Sequence, residues 1–282
     1  MTGEKHLAKN WIQKMRSVLG WLVHSARAKL ALFNATRKKQ MVSDDDLSRG
    51  NWDQSLKNPS KFYLDCVSYF YDQFPGYLKV HRRYFSESGR GFGEDAFHVM
   101  WWLLVREYRP KSFLEIGVYR GQTLSLVSLL QKNMQISGSV TGISPFQPIG
   151  DGVSQYRSDI DYFSDTLASF SRLELPKPDL VKALSTDSAG IKAICAHQWD
   201  IIYIDGNHDY EIAKQDFQHC TRALAAGGIL VLDDAGLTTS YRPPAFATGG
   251  HPGPSRLAQE IDPLQYREIL QVGHNRVFQR IA

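Results

Sequence analysis

The sequence predicts an α/β fold: a seven-stranded, mostly parallel sheet with helices on both faces, closed by an antiparallel hairpin. Three observations lead there. Short apolar runs alternate with helix-length amphipathic segments from Pro110 onwards, the pattern of strands joined by helical crossovers. The last two apolar runs are separated only by Gly273-His274-Asn275, too little chain for a crossover, so they pair antiparallel. With 282 residues, 43% apolar and 22% charged, the chain can bury a large core and is not disordered in general.

Residues 1–42 read as a basic helical extension. Residues 1–40 hold nine Lys/Arg against the single acid Glu4. Leu7, Trp11, Met15, Val18, Leu22, Ala26, Leu30 and Phe33 fall three or four apart, along one helical stripe. The run around Val18 to Val23 is broken by Gly20 and is too short to span a bilayer. The stripe is suited to self-association, to packing on the chain's own body, or to peripheral membrane contact. Without this segment the chain carries 24 bases and 28 acids, so the basic overall charge is no argument for a nucleic acid partner. Three cysteines, Cys66, Cys195 and Cys220, form no C-x-x-C pair, which fits a reducing compartment and a cytoplasmic location.

The stretch "MVSDDDLSRGNWDQS" (41–55) reads as a polar linker into a helical cap region, 43–109, with helices near 60–74 and 94–107. Between them "HRRYFSESGRGFG" (81–93) reads as a basic glycine loop, either solvated or touching an anion on the substrate side. The sheet domain, 110–282, runs in order: strand 112–117, helix 121–133, strand 139–144, helix 158–173, strand 179–184, helix 187–197, strand 200–205, helix 210–226, strand 227–234. The Pro- and Gly-rich segment after Asp234 reads as an irregular excursion over the sheet edge, bringing Tyr241, Arg242 and His251 as candidates to meet substrate.

In open parallel sheets ligands sit beyond the carboxyl ends of the strands. There the sequence places Glu115-Ile116-Gly117, Ile143-Ser144, Ser185-Thr186-Asp187, Asp205-Gly206-Asn207-His208 and Asp233-Asp234. In "LEIGVYRGQT", Gly117 allows a tight turn, and Gly121 opens a helix whose free amides attract negative charge. The spacing is neither G-x-G-x-x-G nor a phosphate loop. His208, three residues past a strand-end aspartate, is placed to take the proton of a weak nucleophile near neutral pH. The alternatives are contact with cofactor or substrate and a structural role as cap of the next helix. Asp209 and Tyr210 read as the start of the next helix.

The acid, turn and G-x-x-x-G of "LEIGVYRGQT" resemble the first motif of class I S-adenosylmethionine-dependent methyltransferases, which have a Rossmann-like sheet. "WDIIYIDGNHDYE" with "GGILVLDD" resembles their fourth and fifth strands, most of all in the metal-dependent O-methyltransferases of the macrocin O-methyltransferase-like branch. The resemblance covers roughly 94–282. It implies methyl transfer from S-adenosylmethionine to a hydroxyl of a small-molecule or glycan acceptor. It further implies cofactor contacts from Glu115, Gly117, Tyr119, Gly121, Ser144, Asp187 and Asp205. Asp205, Asp233 and Asp234 would hold Mg²⁺ or a similar divalent cation, and His208 would act as general base. Ser144 departs from the pattern, because relatives place an acid there to hold the cofactor ribose; Asp151, Asp159 or Asp161 from the following loop are candidate substitutes. Two other readings share these residues: a binding or scaffold module that kept the fold, and a hydroxylase-associated relative with the same metal site.

Overall fold

The computed structural model describes residues 41–281 except 88, 154 and 155. The N-terminal stripe therefore lies outside the described residues. Seven strands form one sheet in the order β3-β2-β1-β4-β5-β7-β6. The parallel strands are β1 (Ser112–Ile116), β2 (Ser139–Ser144), β3 (Asp179–Lys182), β4 (Trp199–Ile204) and β5 (Leu224–Leu232). The antiparallel hairpin consists of β6 (Tyr266–Val272) and β7 (Asn275–Arg280), with β7 inserted beside β5. The expected sheet, hairpin included, is the observed one. Its boundary errors are small: β5 begins at Leu224, three residues before the sequence suggests.

Strand β4 shows why the centre of the sheet is apolar without alternation. Side chains point to opposite faces in turn, and both faces are covered. Ile201 and Tyr203 join one buried cluster with Phe113, Trp101 and Val231. Ile202 and Ile204 join the other with Leu114, Ile116, Trp199 and Leu232. A strand buried on both sides becomes polar only where it leaves the sheet, which places Asp205 at the edge.

Ahead of the sheet lie α1 (Asp53–Lys57), α2 (Pro59–Asp72), α3 (Gly76–Glu87) and α4 (Asp95–Tyr108). Two sequence expectations need correction here. Residues 41–55 are no linker: Val42, Leu47 and Trp52 are buried in the first cluster, and the Ser55 hydroxyl oxygen accepts the Gln271 amide at 2.9 Å. A few apolar side chains spaced among acids carry too little periodicity to show burial against a distant strand. Nor is 81–93 a loop throughout, since α3 extends through Glu87 with His81 and Phe85 buried. Arg83 and Glu87 lie on the exposed face of this amphipathic helix, while Arg82 is partly buried and pairs with Asp95 at 2.8 Å. In the remaining loop Phe92 is exposed, but Arg90 turns inward to pair with Asp165 at 2.5 Å, where Arg120 also binds at 2.6 Å.

The crossover helices are α5 (Gln122–Asn133), α6 (Tyr162–Arg172), α7 (Ser188–Ile194) and α8 (Tyr210–Ala223), followed by α9 (Pro252–Gln259). Helix α8 starts as expected: Asp209 is its N-cap, accepting the Glu211 and Ile212 amides. Among the described residues no helix is long and apolar enough to cross a membrane.

A buried polar chain ties α3, α4 and α5 together. The contacts are Ser125 Oγ to His81 Nε2 at 3.0 Å, His81 Nδ1 to His98 Nε2 at 3.1 Å, and His98 Nδ1 to the Glu94 carbonyl at 3.3 Å. Both rings stay neutral, each donating once and accepting once. Burial depresses both pKa values, that of His81 to about 3. The unfolded chain, titrating near 6.5, binds more protons below that pH, so stability is complete above it and falls as pH drops. Between pH 7 and 5 the wild type should lose about 2 kcal/mol more than His81→Gln in denaturant unfolding. Identical pH dependence in the two proteins would contradict this account.

Candidate active site

The chain reverses its winding at β1: β2 lies on one side and β4 on the other. The crevice at this switch point is where α/β sheets bind ligands. Gly117 follows β1 with φ +101°, and a Cβ there would lie 1.7 Å from the Asp205 carbonyl oxygen. The sequence suggested that this glycine admits a ligand; the structure shows that it first admits the neighbouring strand end. Gly121, with φ +79°, caps α5. Glu115 is buried, with Oε2 lacking a hydrogen-bond partner. Burial, with Asp233 nearby, raises its pKa to about 8 although it accepts the Leu124 amide.

The remaining expected cofactor residues line the same end. The Tyr119 ring packs on Phe92 at 4.9 Å and on Tyr162 at 5.1 Å. Ser144 is buried at the end of β2, its hydroxyl 3.5 Å from the Phe146 amide. Asp187 begins α7 and accepts the Leu184 amide at 3.1 Å. The suggested ribose acids are engaged elsewhere: Asp159 with Arg157, Asp161 as the cap of α6, and Asp151 with His208. No substitute for the missing strand-two acid is free among those three.

The end of β4 is the most highly charged part of the site. His208 lies between two carboxylates, with Nδ1 2.6 Å from Asp151 Oδ2 and Nε2 2.8 Å from Asp234 Oδ2. Asp151 Oδ2 also accepts the His208 amide at 2.7 Å. Burial disfavours the imidazolium, but the bonds to Asp234 and Asp151 outweigh it and raise the pKa to about 9. The His251 ring is 4.3 Å from that of His208. Asp205 hydrogen-bonds Asp233. Burial and the Asp233 charge hold Asp205 well above the carboxylate range. Burial works against ionisation of Asp233, but His274 overrides it and brings the pKa to about 2. Asp234 adopts a left-handed φ of +53°, a conformation aspartate tolerates better than most residues.

Two compact donor groups result among the described residues: His208 with Asp234 and His251, and Asp233 with Asp234 and His274. Sequence reading missed His274 and the clamp of Asp151 on His208. His274 looked like hairpin punctuation, and only the pairing of β7 with β5 brings the turn to Asp233. The segment 235–261 is irregular only as far as His251, since residues Pro252–Gln259 form α9, and its candidates divide. His251 reaches the site, whereas Tyr241 is buried against Tyr63 at 5.6 Å and Arg242 binds backbone carbonyls.

Residues 114–235, from β1 to just past Asp234, match the family model of a methyltransferase domain. This segment is similar to that domain. The sheet recurs in solved structures of low identity. The S-adenosylhomocysteine-bound Podospora anserina methyltransferase PaMTH1 superposes with a TM-score of 0.54 at 14% identity, over 76% of this chain and 93% of its own. A Bacillus cereus O-methyltransferase in complex with S-adenosylhomocysteine gives 0.52 at 13% identity, over 81% and 99%. No curated protein matches the chain in sequence. The fold of the chain is thus the one these methyltransferases share.

Proposed function

We propose that the chain transfers a methyl group from S-adenosylmethionine to a hydroxyl oxygen, with His208 as general base. The observation that carries this is the seat of His208. One carboxylate, Asp151, grips its backbone amide and Nδ1, leaving Nε2 directed at the strand-end acids. A hydroxyl replacing Asp234 at Nε2 would meet a ring already oriented to accept its proton. Glu115, Gly117, Tyr119, Gly121, Ser144 and Asp187 would contact the cofactor beyond the carboxyl ends of β1, β2 and β3, with Asp205 between them and His208. The acceptor proposed from the resemblance is a small molecule or a glycan.

The acidic residues also fit a divalent cation. Asp233 Oδ1 is buried without a hydrogen bond, and Asp233, Asp234 and His274 form a compact donor group. Asp233 and Asp234 would hold the ion, with Asp205 as ligand or support. Such an ion supplies charge that lowers the pKa of an acceptor hydroxyl.

Incubation with methyl-labelled S-adenosylmethionine and hydroxylated acceptors should place label on oxygen, with one S-adenosylhomocysteine released per transfer. Label confined to nitrogen or carbon would contradict oxygen transfer. A companion variant addresses the ribose. Ser144→Asp restores a charged acceptor at the end of β2 and should tighten S-adenosylhomocysteine binding by roughly tenfold, the worth of one charge-assisted bond. Unchanged affinity would show that another group already holds the ribose.

A further inference from the structure

The geometry points to a mixed nitrogen and oxygen metal site, formed by Asp233, Asp234 and His274, in place of an all-oxygen site. This inference rests on the cation-assisted reading above and names the ligand that the acidic motif does not contain. His274 Nε2 lies 3.4 Å from Asp233 Oδ1 and 3.7 Å from Asp234 Oδ1. Both separations exceed an ordinary hydrogen bond. They are right for ligands sharing one ion, since two donors each about 2.1 Å from a metal at tetrahedral angles lie about 3.4 Å apart.

Three further features agree. Asp233 Oδ1 is buried with no close hydrogen bond and faces only the His274 ring at 3.4 Å, a deficit that a shared metal bond removes. His274 Nδ1 lies 3.2 Å from the Thr248 carbonyl and 3.1 Å from its hydroxyl. Donation from Nδ1 to that carbonyl leaves Nε2 as the ligand atom, the usual support of a metal-bound histidine. Finally, Asp234 divides its work: Oδ1 faces His274 while Oδ2 faces His208. The ion and the general base can therefore occupy opposite sides of one carboxylate. Asp205, at the end of the adjacent strand β4, then serves to support the ligands.

An imidazole donor shifts preference from Mg²⁺, which favours oxygen, towards Mn²⁺, Co²⁺ or Zn²⁺. Calorimetry on the full chain should show Co²⁺ and Zn²⁺ binding at least ~10²-fold more tightly than Mg²⁺. His274→Gln should weaken Co²⁺ binding by ~10²-fold, Asp205→Asn by less, and His251→Ala little. X-ray absorption of the Zn²⁺-loaded wild type should show imidazole scattering; this needs no variant and so survives any folding defect in His274→Gln. An all-oxygen shell would overturn the proposal, as would Co²⁺ affinity that depends on His251 or Asp205 but not on His274. Absence of metal binding by a chain that still binds S-adenosylhomocysteine would also overturn it, while leaving the methyltransferase reading standing.

Discussion

His208→Ala and His208→Gln should each lower turnover by ~10²–10⁴, the span of a lost general base, while S-adenosylhomocysteine affinity stays within roughly threefold. The glutamine variant matters because alanine leaves Asp151 and Asp234 facing each other without a partner. The structure removes the plain alternative that His208 caps the next helix, because Asp209 already does so. The pH profile carries a second signature. Flanked by two carboxylates, His208 has a pKa of about 9, so the neutral ring that accepts a proton is the minor form at pH 7. In the wild type kcat/KM should rise with pH up to about 9, because that ratio reports the free enzyme. The variants should lack this rise. A folded His208→Gln protein with full turnover would end the catalytic assignment.

The second large effect is on folding. Gly117→Ala should cost about 4 kcal/mol or more, or prevent folding altogether, placing it among the exceptional substitutions. Its added carbon would sit 1.7 Å from a backbone oxygen of the adjacent strand end, at a φ that side chains avoid. Loss of cofactor binding in such a variant would therefore report a displaced strand end and not a blocked ligand. Thermal unfolding decides the point: an alanine variant melting within about 3 °C of wild type would show that the β1 and β4 ends are looser than described.

Much of this was legible in the sequence because it depends on local pattern. "IIYIDGNHDY" announces a strand buried on both faces that ends at a polar edge, and the same transition recurs at Glu115, Ser144 and Asp233. The hairpin was readable because so short a connection admits little else. What escaped was long-range. Trp52 and Leu47 are buried by contacts that no local period encodes. Asp151, on a loop of unremarkable composition, meets His208 only once the chain is folded, 57 residues on. His274 joins the acids only through strand pairing at the far end of the chain. Side chains that converge from different strand ends leave no spacing to detect, so sequence named the carboxylates and missed their histidine.

The most direct test of the methyltransferase account is the binding of S-adenosylhomocysteine to the full chain. Calorimetry should show one saturable site per chain. At a ligand concentration about a hundredfold above the dissociation constant, the same ligand should stabilise the fold by about 2.7 kcal/mol, read as a raised melting temperature. No heat and no thermal shift at millimolar ligand would mean that the crevice beside Gly117 does not hold this cofactor, and the account would be wrong at its centre.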